Sequence, residues 1–223
     1  MIKRTLIPVL MFASSFAAAA ELTHMETRWL SAGLSVINYA RQELKLPLDI
    51  TVQPQARASD VPVALGYQDG RCKLVLSLRG NDGAEDILQA VPASQKPLMI
   101  EAMFAHEIAH CWRYAQGAWH AAPSAFQQGG ERSAAQSLRD TRREEGFADL
   151  LALAWTQQQH PEHYAAVAAW MQQVRQPGTS GTAGSHSTTA WLQLAQTGAA
   201  FNSRLPLFEQ AGSLWRQGLA RGQ

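Results

Sequence analysis

The stretch His106-Glu107-Ile108-Ala109-His110 decides how the rest of this sequence is interpreted. On an α-helix, residues four apart lie one turn apart on the same face, so the two histidine side chains would project side by side. Glu107 would be rotated towards the position that these two side chains leave open. Two histidines and a glutamate at this spacing are typical of a zinc-binding helix in which the glutamate accepts a proton. The stretch therefore predicts metal-assisted hydrolysis.

The residues around this stretch predict how its helix packs. Apolar Ile100, Phe104, Ile108 and Cys111 recur at helical spacing and form one stripe. At about 100° per residue, position 104 lies about 200° around the helix from position 106. We therefore expect the stripe to pack inward, with His106 facing away from it.

The preceding residues predict one helix and a small sheet. Thr23 and Glu26 have the form of a capping box, which predicts a helix from about residue 24 to about residue 45. The dipeptide Asp69-Gly70 is a hairpin signal. Period-two alternation of apolar residues predicts three strands, at residues 48–52, 61–67 and 72–78. We expect these strands to form an antiparallel sheet that packs on the active-site helix.

The two cysteines of the chain are Cys72 and Cys111. Cys72 lies on the leucine-rich face of the third predicted strand, and Cys111 lies on the inward stripe of the helix. If the sheet packs under the helix, both thiols face the same core layer, which favours a disulfide. Two buried free thiols are the alternative.

Residues 1–20 have the form of an export signal, with two basic residues, an apolar stretch and the small residues Ala18-Ala19-Ala20 at a cleavage site. The apolar stretch is shorter than the roughly 20 residues that a membrane-spanning helix needs. We therefore expect residues 1–20 to be removed as a signal peptide and the protein to be periplasmic or secreted. No later stretch is long and apolar enough to predict a membrane span in the mature chain.

Composition suits a single globular domain over residues 21–223. The chain has 223 residues, of which 46% are hydrophobic, and a formal net charge of +1. This size and composition allow a sizeable core. Because no run of lysine and arginine follows the first few residues, the sequence does not predict a nucleic-acid partner. We expect a monomer.

A catalytic zinc site uses three protein ligands, so the helix of His106 supplies two of them. Glu145 and Asp149 lie one turn apart on a predicted helix further along the chain. This spacing favours Glu145 as the third ligand, with Asp149 orienting a histidine by a hydrogen bond. Glu144 is the alternative, but its neighbour one turn on is Ala148, which can orient nothing.

Other third ligands fit the sequence less well. The metzincin extension needs glycine at position 113 and histidine at position 116, where this chain has Arg113 and Gln116. His120 lies ten residues beyond His110, which is not a recognised ligand spacing. These residues leave a downstream glutamate as the preferred ligand.

The sequence HEIAH followed by EGFAD resembles the gluzincin metallopeptidases. The order of elements is similar to that of the minigluzincins and of the soluble core of the CaaX-prenyl and heat-shock membrane proteases, over roughly residues 23–200. The resemblance implies a zincin-like α+β fold with a mostly helical C-terminal half. It implies His106, His110 and Glu145 as ligands of one catalytic zinc ion, Glu107 as general base and acid, and Asp149 as the partner of His106.

The resemblance also implies how substrate is bound. The strand at residues 72–78 would border the cleft, where an extended peptide could pair with its edge. His186 lies in a segment similar to the histidine-containing loop of the heat-shock type, which points at the carbonyl oxygen as charge develops. An exposed loop histidine without that role is the alternative. This chain lacks the membrane helices of the prenyl and heat-shock proteases.

The expected function is that of an exported zinc metalloendopeptidase, which hydrolyses peptide bonds with a zinc-activated water and with Glu107 as general base. One alternative is a non-catalytic exported zinc- or peptide-binding module with a zincin fold. Another is a helical envelope component in which the two motifs are coincidental.

Overall fold

The computed structural model describes residues 21–126, 133–176 and 184–222, so the expected signal peptide at residues 1–20 lies outside the described residues. The strands are β1 (Leu48–Pro54), β2 (Val63–Gln68) and β3 (Arg71–Arg79). The α-helices are α1 (His24–Ala32), α2 (Leu34–Gln42), α3 (Lys96–Ala115), α4 (Ala134–Gln159), α5 (Tyr164–Val174), α6 (Thr189–Leu194) and α7 (Leu207–Ala220). Short 3₁₀ turns occupy Asp86–Leu88, Ser124–Phe126, Pro161–His163 and Gly198–Ala200.

The fold class is α+β, as predicted, with a small sheet and a mostly helical C-terminal half. The single first helix predicted for residues 24–45 is wrong, because α1 and α2 meet at Gly33. A Cβ atom at Gly33 would lie 2.2 Å from the ring of Phe104. Glycine therefore lets the chain approach α3 closely at the point where the first helix is interrupted.

The sheet is mixed, so the prediction of an antiparallel sheet is wrong for one strand. Its order is β1-β3-β2, with β1 parallel and β2 antiparallel to β3. The turn between β2 and β3 has positive φ at both Asp69 and Gly70, which is typical of a tight hairpin and forces those two strands to be antiparallel. Alternating apolar residues define the two faces of β1 but carry no information about its direction.

Because of this strand order, the strand at the edge of the sheet is not the one that the sequence predicted. β3 lies in the centre of the sheet and is paired on both sides. The predicted role of residues 72–78 as an edge for substrate is therefore wrong, because both edges of β3 are occupied by neighbouring strands. β2 is an outer strand, and it is also the strand with the most extensive contacts to α3.

The stripe that the sequence predicts on helix α3 faces the interior of the protein. Ile100, Phe104, Ile108 and Cys111 are all buried. The predicted disulfide is confirmed, since Cys111 is bonded to Cys72 of β3. Residue 111 directly follows His110, so the disulfide fixes the end of α3 that carries the histidines against the central strand.

Helix α4 is the central helix of the C-terminal half. Ser133 caps its start, because the Ser133 side chain accepts a hydrogen bond from the backbone N–H of Gln136, and the helix is buried from Glu144 to Thr156. It packs between α3 and α7 and also contacts α5 and α6. This arrangement places one face of α4 directly against the histidines of α3. Among the described residues, no helix is long and apolar enough to cross a membrane.

Candidate metal centre

Two facing helices bring His106, His110 and Glu145 together. The Nε2 atoms of His106 and His110 lie 3.1 Å apart. The carboxylate of Glu145 on α4 lies 3.3 Å from Nε2 of His106 and 3.6 Å from Nε2 of His110. All three side chains are buried, and together they could hold a metal ion.

The spacing of these atoms fits a metal ion. In a tetrahedral zinc site with bonds of about 2.0–2.1 Å, neighbouring ligand atoms lie about 3.3–3.4 Å apart. The separations between the ligand atoms of this centre are 3.1, 3.3 and 3.6 Å, which lie on both sides of that value. In addition, Oε2 of Glu145 is buried and accepts no hydrogen bond from any residue that the structure describes. A bound cation would compensate the cost of burying that oxygen.

Glu144 has a different partner, although it precedes Glu145 directly. Its carboxylate accepts hydrogen bonds from Arg113 at 2.6–3.0 Å and from the backbone N–H of His120 at 2.8 Å. Arg113 in turn lies over the rings of Phe147 and Trp215. The structure therefore brings Glu145 to the histidines and Glu144 to Arg113. The ring of His120 stacks on Trp119 and lies outside the metal-binding group.

Asp149 lies against His106, on the side away from the other ligands. Its Oδ1 atom is 2.9 Å from Nδ1 of His106, and the carboxylate is fully buried. A proton on Nδ1 that is donated to Asp149 leaves the lone pair of Nε2 directed at the metal-binding group. Burial opposes ionisation of Asp149, but Arg175 and His106 outweigh burial and hold its pKa well below the usual value.

Arg175 is a member of the centre that the sequence motifs did not reveal. It follows α5 and donates to both oxygens of Asp149, at 2.7 and 2.9 Å. Thr188 donates a further hydrogen bond to Asp149. Nη2 of Arg175 also lies 3.7 Å from Glu145. No local pattern marks Arg175. The only available signal is general, namely that a fully buried carboxylate needs several donors.

The charges of the centre favour one further cation. Glu145 and Asp149 are ionised, and Arg175 supplies one positive charge against these two negative ones. Burial lowers the pKa of His106, but Asp149 and Glu145 outweigh it and raise that pKa to about 10. Burial and the neighbouring His106 lower the pKa of His110 to about 3. One positive charge is therefore stable at the histidine pair, where a metal ion would lie.

Glu107 lies beside the metal-binding group and faces β2. Burial raises its pKa to about 7; Glu145 adds to the shift, while His106, Arg175 and the backbone of Leu65 oppose it. A carboxyl group with a pKa near neutrality can both accept and release a proton under ordinary conditions. The arrangement can therefore combine a bound cation with proton transfer.

His186 also reaches the group. Its Nε2 atom lies 3.4 Å from Oε2 of Glu145, and its Nδ1 atom lies 3.0 Å from the hydroxyl of Ser185. Arg142 of α4 donates a hydrogen bond to the carbonyl of Gly184 and so anchors the segment that carries His186. The side chain of His186 is 31% exposed, so it lies between the buried ligands and solvent.

Comparisons with models of protein families, with curated proteins and with solved structures found no match to this chain. The likeness to gluzincins therefore rests on the two motifs at residues 106–110 and 145–149. In the folded chain these motifs lie on facing helices, and the residues that the sequence selected from them meet at one point.

Proposed function

We propose that this protein is an exported zinc metallopeptidase of the gluzincin type. The observation that carries the proposal is the convergence of His106, His110 and Glu145 at 3.1–3.6 Å, directly beside Glu107. The pKa of Glu107, which burial raises to about 7, suits it to proton transfer.

The donor set favours zinc over harder cations. Two imidazole nitrogens and one carboxylate oxygen are ligands that zinc commonly uses in catalytic sites. Calcium and magnesium prefer sites built from oxygen atoms. Three protein ligands leave a position for water, whereas structural zinc sites are usually closed by four.

Each residue of the centre has a role in the proposed hydrolysis. A zinc ion held by the three ligands would act as a Lewis acid and lower the pKa of water to about 7. The carboxylate of Glu107 accepts a proton from water and hands it to the nitrogen of the leaving amine. Asp149 holds His106 in its ligating orientation. We assign His186 the role of a hydrogen-bond donor to the carbonyl oxygen as charge develops.

The edge of β2 supports a peptide as the substrate. The backbone N–H of Ser77 on β3 donates to the carbonyl of Pro62 at 3.0 Å, which sets the alternation of hydrogen-bonded pairs along β2. By this alternation, Leu65 directs its backbone N–H and C=O away from β3. The outward N–H of Leu65 donates to Glu107, and its C=O remains directed towards the outer edge, so an extended peptide that pairs with this edge would pass the proposed base.

The disulfide supports export. Disulfides persist in the periplasm and outside the cell, where the expected signal peptide would direct the chain.

Zinc content and cleavage of casein, an unfolded protein, test the proposal together. We expect the wild type and Glu107→Gln to retain one zinc ion per chain, since Glu107 is not a ligand. Casein cleavage should fall by roughly 10²–10⁴-fold in Glu107→Gln, the usual contribution of a general base. Glu162→Gln is the matched control, because the side chain of Glu162 is 64% exposed and is not part of the centre.

Two other outcomes would be decisive. Cleavage that is unaffected by Glu107→Gln would contradict the proposed mechanism. A wild type that retains zinc and cleaves nothing would instead support a non-catalytic binding module.

A further inference from the structure

Four aromatic side chains form a continuous row beside the metal centre, which we call the aromatic row: Tyr67, Tyr114, Trp119 and His120. Tyr67 of β2 and Tyr114 of α3 stack at 4.8 Å with an angle of 3° between their planes. Tyr114 stacks on Trp119 at 4.0 Å, and Trp119 stacks on His120 at 4.7 Å. Trp119 also meets the ring of His110 edge-on at 5.2 Å. The row therefore extends from a metal-binding histidine to the outer strand of the sheet.

Two buried charged side chains, Arg113 and Glu144, hold the loop that carries Trp119 by hydrogen bonds to its backbone. Arg113 donates to two carbonyl oxygens of this loop, at 2.6 and 2.8 Å. Glu144 accepts from the backbone N–H of His120, which has a positive φ of 54°. A non-glycine residue adopts that conformation only where its surroundings impose it. The position of Trp119 is thus set by the interior of the protein and not only by contacts of its ring.

The rings of the row remain partly accessible. Tyr67 is 38% exposed, and Tyr114 and Trp119 are half-buried. Tyr114 lies between two nearly parallel rings, which cover its two faces, so the accessible part of Tyr114 is its edge. Ring edges carry the positive part of the aromatic quadrupole and prefer the face of another ring. The row therefore presents a surface that suits an aromatic group.

The position of the row relative to Glu107 fixes which part of a peptide could reach it. The backbone of Leu65 contacts Glu107, and Tyr67 lies two residues further along β2. Two residues of a strand span about 7 Å. A peptide paired with β2, with its reacting bond beside Glu107, would place a side chain about two residues from that bond against the row.

We propose that the aromatic row is a specificity subsite that binds one aromatic side chain of an extended peptide substrate, about two residues from the bond that is cleaved. Trp119 determines this preference, because it links the row to His110, and Tyr67 forms its outer end. This inference rests on the proposed peptidase function and adds a substrate class to it.

Peptide binding tests the subsite separately from cleavage. The probes are fluorescein-labelled octapeptides of alanine and serine that carry one phenylalanine at each of the four central positions in turn, with the all-alanine/serine peptide as reference. Binding is measured with the zinc-loaded Glu107→Gln variant, which should leave the peptides intact. We expect at least one phenylalanine peptide to bind about tenfold more tightly than the reference, a discrimination that an apolar pocket can supply.

Variants of the aromatic row then test which of its residues cause the preference for phenylalanine. Trp119→Ala in the same background should remove most of the phenylalanine preference. Tyr67→Ser should reduce it, and because Tyr67 is exposed this variant is expected to fold normally. Tyr39→Ala is the matched control: Tyr39 is a half-buried ring on α2 that packs against Trp155 at a tilted angle, outside the row. It should keep the full preference.

The remaining outcomes distinguish the two proposals. The subsite is overturned if no phenylalanine position is preferred, or if Trp119→Ala and Tyr67→Ser weaken binding of all peptides by the same factor, as a purely structural role predicts. If the wild type binds phenylalanine peptides selectively but cleaves neither them nor casein, the peptidase proposal fails and the aromatic subsite stands.

Discussion

Glu144 and Glu145 are neighbours on α4, and both are buried. Their surroundings differ, because Glu144 faces hydrogen-bond donors and Glu145 faces two histidines. Glu144 is 1% exposed and accepts hydrogen bonds from Arg113 and from a backbone N–H. Glu145 is 8% exposed, lies at 3.3 and 3.6 Å from two histidines, and has one buried oxygen that accepts no hydrogen bond from the residues the structure describes. Both oxygens of Glu144 accept hydrogen bonds from the protein, whereas Oε2 of Glu145 has only the ring nitrogens and the guanidinium around it at 3.3–3.7 Å.

This difference shows that burial alone does not identify a functional carboxylate. A buried charge is costly unless it is paired and hydrogen-bonded, and Glu144 meets that requirement within the fold. Glu145 lies within ion-pair distance of His106, but its Oε2 atom lacks a hydrogen bond from the residues that the structure describes, and a metal ion between it and the histidines would occupy that position. A one-residue step along α4 rotates the side chain by about 100°, which is enough to move it from one environment to the other.

We expect the largest effect on zinc binding from replacing Glu145, the carboxylate that lies against the two histidines. Glu145→Gln should reduce zinc affinity by more than the roughly 10–100-fold that loss of an outer hydrogen-bond partner costs, and casein cleavage should fall to background. Glu144→Gln, its matched control, should still bind one zinc ion per chain. Zinc is measured by mass spectrometry after dialysis. If Glu144→Gln loses zinc and Glu145→Gln keeps it, the assignment of the third ligand is reversed.

Glu144, which is hydrogen-bonded to Arg113, should matter for stability instead. Arg113→Met leaves the charge of Glu144 buried without its partner, which should lower the free energy of unfolding by about 3–5 kcal/mol. Replacing both residues, with Arg113→Met and Glu144→Leu, should cost less, because no unpaired charge remains. Urea denaturation of the zinc-free protein measures both variants. A double variant at least as unstable as Arg113→Met would show that the pair itself stabilises the fold.

The sequence could predict those parts of the centre that depend on helical periodicity. His106 and His110 share a face because they are four residues apart, and the same rule favoured Glu145 over Glu144 through its spacing from Asp149. The inward stripe of α3 and the disulfide follow from the same kind of argument. The disulfide joins two elements 39 residues apart, and its prediction combined the alternation that places Cys72 on one face of a strand with the stripe that places Cys111 on one face of a helix.

The features that sequence could not predict depend on contacts between distant segments. The direction of β1 is set by packing, since its alternating pattern is the same for a parallel and an antiparallel strand. Arg175 lies 26 residues after Asp149, directly after a different helix, and no motif connects the two. The interruption at Gly33 is explained only by the ring of Phe104, which is far away in sequence.

Arg175 does not belong to the proposed ligand set but donates to Asp149, the hydrogen-bond partner of His106. Arg175→Met removes the two hydrogen bonds to Asp149 and leaves this buried carboxylate with fewer donors. We expect zinc affinity or casein cleavage to fall by about 10–100-fold, the usual cost of losing an outer partner of a metal-binding histidine. Arg175→Lys should recover part of the loss, since it keeps the charge but not the paired geometry. Full activity in Arg175→Met would exclude a positioning role.

The smallest effect concerns Glu107, which is neither paired like Glu144 nor a proposed ligand like Glu145. Its pKa in the folded protein is about 7, above the usual value of 4.5, so between these values the folded state holds a proton that the unfolded state has lost. The stability that Glu107 contributes is therefore fully present below pH 4.5 and is lost as the pH rises through about 7.

Glu107→Gln cannot undergo this loss, so the two zinc-free proteins should diverge with pH. The stability of Glu107→Gln relative to the wild type should increase between pH 4.5 and pH 7.5, by on the order of 2 kcal/mol for a half-buried group. His106 and His110 hold their charges over this range, because their pKa values are about 10 and about 3. Urea denaturation at several pH values measures the difference. A constant difference would mean that Glu107 has an ordinary pKa, and burial would then not be what prepares it for proton transfer.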